Sequence, residues 1–244
     1  MKTRLLFGLS VCGGLIIQTA DADYTYMGHC TADPSVPGEE IISACTNFIS
    51  KAFQENWQLE YVPAAMLFQA SAYERLGKDD RALATLKALI TRYPRFPQGW
   101  VGLGQLLEKL KGPGMLMGTM DAMLHANPDD ATVLNEACWI RATTGQQLDT
   151  AIADCTAALQ IKPGDPGFLD SRGLAYFRKG DFAEATKDTS AALAVDPKKS
   201  GSLYVRGLAK MKSGDAAGGN ADIAAAKAMD PTIADTYAAY GVSQ

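Results

Sequence analysis

The strongest constraint on this 244-residue chain is a proline that returns every 34 or 35 residues. The five prolines of this series are Pro94, Pro128, Pro163, Pro197 and Pro231, and each closes a stretch with a similar order of apolar and small residues. A period of this length is too short for a domain and too long for a heptad, but it suits one helix-turn-helix unit that stacks on copies of itself. The sequence therefore predicts a helical repeat array, a fold that builds binding surfaces.

Small residues return on the same period, which indicates a repeated close contact between helices. One column is mostly glycine and has one bulky exception: Ala70, Gly104, Trp139, Gly173, Gly207 and Gly241. Three other glycines, Gly77, Gly180 and Gly214, each follow a run of helix formers and precede an aspartate by one or two residues. Because glycine tolerates the left-handed end of a helix and aspartate favours a helix start, these glycines are predicted to lie in turns.

Two stretches reproduce a known repeat pattern at the right internal distances. Trp100-Val-Gly-Leu103-Gly104 is followed by Pro128, and Gly173-Leu-Ala-Tyr176 is followed by Pro197. In these residues the chain resembles the tetratricopeptide repeat family, whose pattern pairs W-x2-L-G-x2-Y with a terminal proline. The resemblance covers about residues 63–231. It implies an all-α, right-handed superhelix, or solenoid, of antiparallel helix-turn-helix repeats.

The expected boundaries follow from this register. Five repeats are predicted, at residues 63–96, 97–131, 132–165, 166–199 and 200–231. Residues 23–62 are expected to form an N-terminal helical segment tied by a disulfide, and residues 232–244 a capping helix. Whether residues 23–62 are a further, degenerate repeat stays open at the level of the sequence.

The N-terminus resembles a targeting segment. Lys2 and Arg4 precede an apolar stretch that ends at Ile17, and small residues surround a cleavage point after Ala22. This order is typical of a secretory signal peptide at residues 1–22, because an apolar stretch of this length is too short to span a bilayer. A lipoprotein site at Cys12 is disfavoured by the branched residue that precedes it. We expect a periplasmic or secreted protein without an integral membrane span after signal removal.

Charge limits the classes of partner. The chain has 23 basic and 27 acidic residues, and removal of the predicted signal takes Lys2, Arg4 and Asp21 with it. The remaining chain carries a net charge of about −5, with no basic stripe of the kind that nucleic acids attract. Nucleic acid is therefore not an expected partner.

Four cysteines remain when Cys12 leaves with the predicted signal. An even number in an exported chain indicates disulfides. Cys138 and Cys155 fall in registers that face each other across one helical hairpin, and Cys30 lies near Cys45 in the sequence. We predict the pairs Cys30–Cys45 and Cys138–Cys155.

No residue pattern indicates a cofactor, metal or catalytic centre. His29 beside Cys30 is a weak candidate for a metal ligand or a base, because no third ligand lies near it in sequence. Met115, Met117, Met120 and Met123 with His125 could suggest copper, but Leu116, Met120 and Met123 fall in buried registers and favour core packing. We predict no cofactor, no metal site and no enzymatic activity.

Charged residues also follow the repeat. Arg172 and Arg206 lie 34 residues apart, as do Asp154, Asp188 and Asp222. A ladder of this kind could bind a charged ligand. Since both signs share one period, pairing between an arginine on a first helix and an aspartate on a second helix is the favoured interpretation.

The family resemblance implies that the first helices line the concave side of the array. The expected groove residues of the C-terminal half are apolar or aromatic: Ile140, Leu174, Phe177, Tyr204, Leu208 and Met211. Such a groove would suit an apolar segment of another chain. The alternative is that the helix after Pro231 covers part of this surface. The family's clamp for C-terminal carboxylates needs lysine and asparagine in these columns and is not expected here.

Two functions are compatible with the sequence. The first is an exported interaction module, or adaptor, that binds a protein or peptide in the groove. The second is a small-ligand binder or enzyme that uses the N-terminal segment around His29, Tyr24 and Tyr26. No nucleophile, phosphate loop or metal-spaced cluster supports the second, so the first is preferred.

Overall fold

The computed structural model of the protein describes residues 29–112 and 114–243. These residues form twelve α-helices and one short 3-10 turn, and no strand occurs among them. The prediction of an all-α solenoid built from helical hairpins is confirmed. The predicted signal peptide at residues 1–22 lies outside the described residues.

The described residues fall into two compact units, which we call the N-terminal unit (up to Val133) and the C-terminal unit (from Leu134). The N-terminal unit contains α1 (Gly38–Glu55), the 3-10 turn (Leu59–Tyr61), α2 (Val62–Arg75), α3 (Asp79–Arg92), α4 (Pro97–Lys111) and α5 (Met115–Ala126). Helix α6 (Ala131–Thr144) begins in this unit and ends in the next. The C-terminal unit continues with α7 (Leu148–Ile161), α8 (Pro166–Lys179), α9 (Phe182–Val195), α10 (Ser200–Lys212), α11 (Ala216–Met229) and α12 (Ile233–Ala239).

In the N-terminal unit each helix packs against its neighbour in the chain, from α1 to α5. Helix α3 is an example. Asp79 and Asp80 stabilise its N-terminal end and Arg92 stabilises its C-terminal end, because their charges complement the helix dipole. Ala82, Leu86 and Leu89 form one buried stripe that packs against the neighbouring helices. Residues before α1 are held by the predicted disulfide between Cys30 and Cys45. The guanidinium of Arg75 also donates to the carbonyls of Pro34 and Val36, at 3.2 Å each. The segment before α1 is therefore fixed to α1 and α2.

The helices of the C-terminal unit cross at a column of close approach. Gly173 and Gly207 each lie seven residues after the start of their first helix, and an added Cβ would lie 2.7 Å from Thr189 Cγ2 and Ile223 Cγ1 respectively. Counting from the start of α6 puts Cys138, and not Trp139, in this column. The prediction for Trp139 is wrong because the extra residue of the 35-residue repeat lies after α6, in the turn to α7. At this level of the array the Cys138–Cys155 disulfide joins the two helices.

Glycines end most of the first helices in one recurring turn. Gly77, Gly180 and Gly214 adopt the left-handed conformation, as predicted, with φ of 69°, 92° and 94°. In each case the next residue donates its N–H to a carbonyl five residues earlier, as in Lys78 to Tyr73 at 2.9 Å. Gly241 forms the same turn with φ of 73°. It therefore ends α12, and the prediction that it supports close helix packing is wrong.

The arginines and aspartates of the repeat pair internally, as favoured from the sequence. Arg172 Nε and Nη2 donate to Asp188 at 2.6 and 2.9 Å, and Arg206 makes the same two-point contact with Asp222 at 2.8 and 2.7 Å. Asp154 pairs with Arg141. These guanidinium groups join the two helices of one hairpin and do not form a free charged ladder.

We expect the substitution Gly207→Ala to destabilise the C-terminal unit by about 2 kcal/mol, because the new methyl group would overlap closely packed atoms. These include the carbonyl oxygen of Gly219, which a Cβ would approach to 2.8 Å. Chemical denaturation monitored by circular dichroism measures this loss.

The matched control is Gly118→Ala in α5, where an added Cβ meets no atom within 4 Å. Because alanine favours the helix, this change should raise stability by roughly 0.5–1 kcal/mol. Equal effects of the two substitutions on their own units would contradict the close-approach interpretation.

Candidate binding face of the C-terminal unit

The first helices of the C-terminal unit present one common surface. We call it the first-helix face and define it by Trp139 of α6, Arg178 of α8 and Tyr204 of α10, which contact the end of the chain, and by the register around which they lie. Trp139, Leu174 and Leu208 occupy the same register, eight residues after the start of their helices. On α10, Tyr204 lies one turn before this register, and on α8, Arg178 lies one turn after it. The face is thus mainly aromatic and aliphatic, with one guanidinium.

A polypeptide segment already lies on this face. Residues 233–242, which we call the C-terminal segment, consist of the seven-residue helix α12 and the glycine turn that follows it. They contact α6 through Trp139, α8 through Arg178 and α10 through Tyr204. The segment therefore crosses all three first helices of the unit.

Aromatic rings join the segment to this face. Tyr237 packs on Tyr204 with ring centroids 5.1 Å apart, and Tyr240 meets the Trp139 ring edge-on at 6.0 Å. Tyr237 and Tyr240 themselves lie 5.7 Å apart in a T-shaped arrangement. Four rings thus form a continuous row from α6 to α10, a geometry in which each pair adds to the energy of burial.

The absence of a side chain at Gly201 makes room for Tyr237. A Cβ at this position of α10 would lie 2.7 Å from the Tyr237 hydroxyl oxygen. Nearby, the Ser202 hydroxyl donates to Asp170 Oδ1 at 2.5 Å, and Lys199 Nζ lies 3.8 Å from the same carboxylate. Burial raises the pKa of Asp170, and Lys199 and Ser202 partly oppose that shift. The tyrosine therefore sits beside a buried polar cluster as well as on an aromatic surface.

Arg178 anchors the other end of the segment. Its Nη1 donates to the carbonyl of Tyr240, and its guanidinium also packs against the α6–α7 turn at Gly145. Burial lowers the pKa of Arg178. Among the described residues no carboxylate lies within ion-pair distance of this guanidinium. It therefore uses a backbone carbonyl of the segment as its acceptor.

The predicted groove residues lie mostly in the core. Ile140, Leu174, Phe177, Tyr204 and Leu208 are buried, and Met211 is half-buried. The expectation of an open apolar trough is thus corrected, because five of the six side chains are buried and the C-terminal segment packs on Tyr204. For α6 the groove register falls on Trp139, one residue before Ile140. Whether any of the six residues binds a partner stays a prediction.

Several contributors to the face were missed in the sequence. The charge of Arg178 does not distinguish it, because its equivalent in α10, Lys212, is also basic. Tyr237 and Tyr240 fall in the expected capping helix, whose pattern gives them no special role. One signal could have found them. Gly241 stands where other repeats are in mid-helix, so it predicts a first helix that stops halfway along the face.

The other candidate sites gain no support from the structure. His29 is exposed and contacts Glu40, while Tyr24 and Tyr26 lie outside the described residues. Leu116, Met120 and Met123 are buried, as expected for core residues. Within residues 29–112 and 114–243, no group of three or more histidine, cysteine, aspartate or glutamate side chains could hold a metal ion. In the same ranges no helix is long and apolar enough to cross a membrane.

Comparisons with known proteins agree on the fold. Residues 63–106 match the family model described as tetratricopeptide repeat. The solved structure of PilW, a widely conserved type IV pilus biogenesis factor, is similar over 74% of this chain and 86% of its own, at 18% identity and a TM-score of 0.56. TTC0263, a thermophilic TPR protein of Thermus thermophilus, is similar over 73% of this chain and 97% of its own, at 17% identity and a TM-score of 0.53.

MamA from Desulfovibrio magneticus RS-1 gives a third solved structure with this likeness. It is similar over 70% of this chain and 96% of its own, at 16% identity and a TM-score of 0.52. Among curated proteins, none matches this sequence. At these identities the likeness concerns the fold alone.

A carboxyl on α6 provides a prediction about pH. Burial raises the pKa of Glu136 to about 7, from an ordinary value of 4.5. Between these two pH values the folded protein keeps a proton that the unfolded chain has released, so stability falls as the pH rises through this window. Because part of the Glu136 side chain still contacts water, we estimate the loss of unfolding free energy across this window at roughly 2 kcal/mol. Glu136→Gln should remove it and stabilise the protein above pH 7, as measured by thermal unfolding across pH.

Asp149→Asn is the control for this prediction, because it removes a carboxyl of the same unit whose side chain is 86% exposed. It should leave the pH dependence of stability close to that of the unmodified protein. A Glu136→Gln protein with an unchanged pH profile would contradict the assignment.

A second prediction concerns the anchor of the C-terminal segment. Arg178→Gln shortens the side chain and removes its charge, so the hydrogen bond to the Tyr240 carbonyl should be lost. A bond from a charged donor contributes about 1.5–3 kcal/mol, so amide exchange at residues 240–242 should accelerate at least about tenfold. Lys179→Gln, at the exposed neighbouring residue, should leave this exchange unchanged. Equal protection in both variants would show that Arg178 does not hold the segment.

Proposed function

Because the chain carries tetratricopeptide repeats and has the fold of solved proteins with such repeats, we propose that it is an interaction module that binds a polypeptide on its first-helix face. It acts as an adaptor that recruits another chain and not as a catalyst. One observation carries this proposal: the first-helix face of the C-terminal unit holds a polypeptide segment, its own residues 233–242.

The chemistry of the face supports a protein partner over a nucleic acid or a small ion. Trp139 and Tyr204 offer aromatic surface, and Arg178 offers a donor suited to a backbone carbonyl. Aromatic residues with arginine are the usual anchors of protein interfaces, whereas nucleic-acid sites need a basic stripe. A peptide with apolar side chains can therefore be bound through both its side chains and its backbone.

We place the encounter with this partner outside the cytoplasm. The Cys30–Cys45 and Cys138–Cys155 disulfides support this location, because such bonds persist in oxidising compartments. The signal peptide expected at residues 1–22 supports it from the sequence. In a Gram-negative host the protein would act in the periplasm, and in other hosts as a secreted protein.

Site-specific cross-linking tests the proposal. A photo-reactive phenylalanine analogue replaces Met211, which is half-buried on α10, in the protein produced in its own cells. After irradiation we expect a defined polypeptide adduct, which mass spectrometry identifies. The same adduct should form when the analogue replaces Trp139, because both positions lie on first helices of the C-terminal unit, α10 and α6.

The matched control is the same analogue at Ile161, a residue at the end of the second helix α7 whose surface is 48% exposed. It should give no such adduct. Cross-links from Ile161 but not from Met211 or Trp139 would move the interaction to another surface. If the analogue at His29 gives the only cross-links, the N-terminal segment around His29 would be the binding site instead.

A further inference from the structure

The C-terminal segment has the form of a first helix that is cut in half. Helices α8 and α10 have 14 and 13 residues before their glycine turns, whereas α12 has 7. Helix α12 ends early because of the turn at Gly241. The N–H of Gly241 donates to the Ala238 carbonyl, and the N–H of Val242 donates to the Tyr237 carbonyl, each at 2.9 Å. This turn directs Val242 back into the core, where it is 1% exposed.

The segment is also amphipathic along its short length. Ile233, Tyr237 and Val242 are buried against the unit, and Tyr240 is half-buried. Asp235, Ala238 and Ala239 face solvent. The segment therefore has one contact stripe. It consists of two aromatic residues three positions apart, Tyr237 and Tyr240, followed by Gly241 and the aliphatic Val242.

Such a short helix depends on its contacts for stability. A helix of this length is not stable alone in water, so it forms only while the first-helix face holds it. The contacts that hold it include the rings of Trp139 and Tyr204, the hydrogen bond from Arg178 and the burial of Ile233 and Val242. None of these contacts requires that the segment belong to the same chain. A separate polypeptide with the same stripe could make all of them.

We propose that the first-helix face recognises a short helical segment with two aromatic residues three positions apart, followed by glycine and an aliphatic residue. Residues 233–242 are a tethered copy of this ligand, and a partner that carries the same pattern displaces it. This inference rests on the proposed function and specifies the partner by its chemistry. The tether gives the internal copy an effective concentration of about millimolar, so an external segment competes well only when it binds more tightly or when the internal copy is released.

Peptide binding to the full chain tests this inference. The probe is a fluorescent synthetic peptide with the sequence of residues 230–243, and binding is measured by fluorescence anisotropy. In one protein the internal copy is released by Tyr237→Ala with Tyr240→Ala. We expect this protein to bind the probe at least about tenfold more tightly than the unmodified protein does. A probe in which both tyrosines are alanine should bind neither protein.

The control protein carries Ala238→Ser with Ala239→Ser, on the solvent side of the same segment. It should bind the probe as weakly as the unmodified protein. Hydrogen exchange gives a second readout that needs no substitution. A large excess of unlabelled peptide should accelerate the exchange of the protein's own amides in residues 237–242, because the tethered copy is driven off the face.

Each other outcome overturns the inference. Equal probe affinity for the released and unmodified proteins would place the peptide elsewhere, and equal affinity of the alanine probe would exclude recognition through the tyrosines. Unchanged exchange in residues 237–242 at saturating peptide would exclude displacement. Cross-linking of a different polypeptide at Met211, together with failure of the probe, would keep the proposed function and reject this ligand chemistry.

Discussion

The close approach of the two helices in each hairpin is the constraint on which the C-terminal unit depends. Gly173 and Gly207 permit it, because an added Cβ would come within 3 Å of Thr189 and Ile223. In the repeat of α6 and α7 a covalent bond, Cys138–Cys155, occupies the same level. This spacing fixes how far each first helix stands from its second helix, and so determines which side chains of the first helices remain available for the face.

The helical repeats could be predicted from the sequence because their causes are local and recur. Periodic prolines, turn glycines such as Gly180 and small crossing residues such as Gly173 act within one hairpin, so one copy supports the next. The face was harder to predict because it depends on residues far apart in the chain. Burial of Tyr204 requires Tyr237, and Arg178 meets a carbonyl 62 residues away. The 35-residue repeat shifts the register by one position in α6, so the predicted groove residue Ile140 is buried and Trp139 faces the segment.

Charge has a different role in the core than on the face. Arg172 and Arg206 each meet a carboxylate of the same hairpin at two points. Although burial acts to raise the pKa of Asp222, hydrogen bonds from Arg206 and Lys210 lower it overall. Arg178 instead meets a neutral carbonyl. A partner can replace that carbonyl without breaking an ion pair, so exchange at this site costs less than separation of two buried charges would.

The half-length helix α12 also affects how a repeat protein of this kind can change in length. An array grows by duplication when its last hairpin offers a surface on which another hairpin can stack. Here the half-length helix α12 packs on α10 and α11, and Gly241 ends it. An additional hairpin after Pro231 would have to displace residues 233–242 from the surface on which it stacks. The number of repeats is therefore coupled to whether the C-terminal segment covers the first-helix face. A gain of one hairpin would leave this face uncovered.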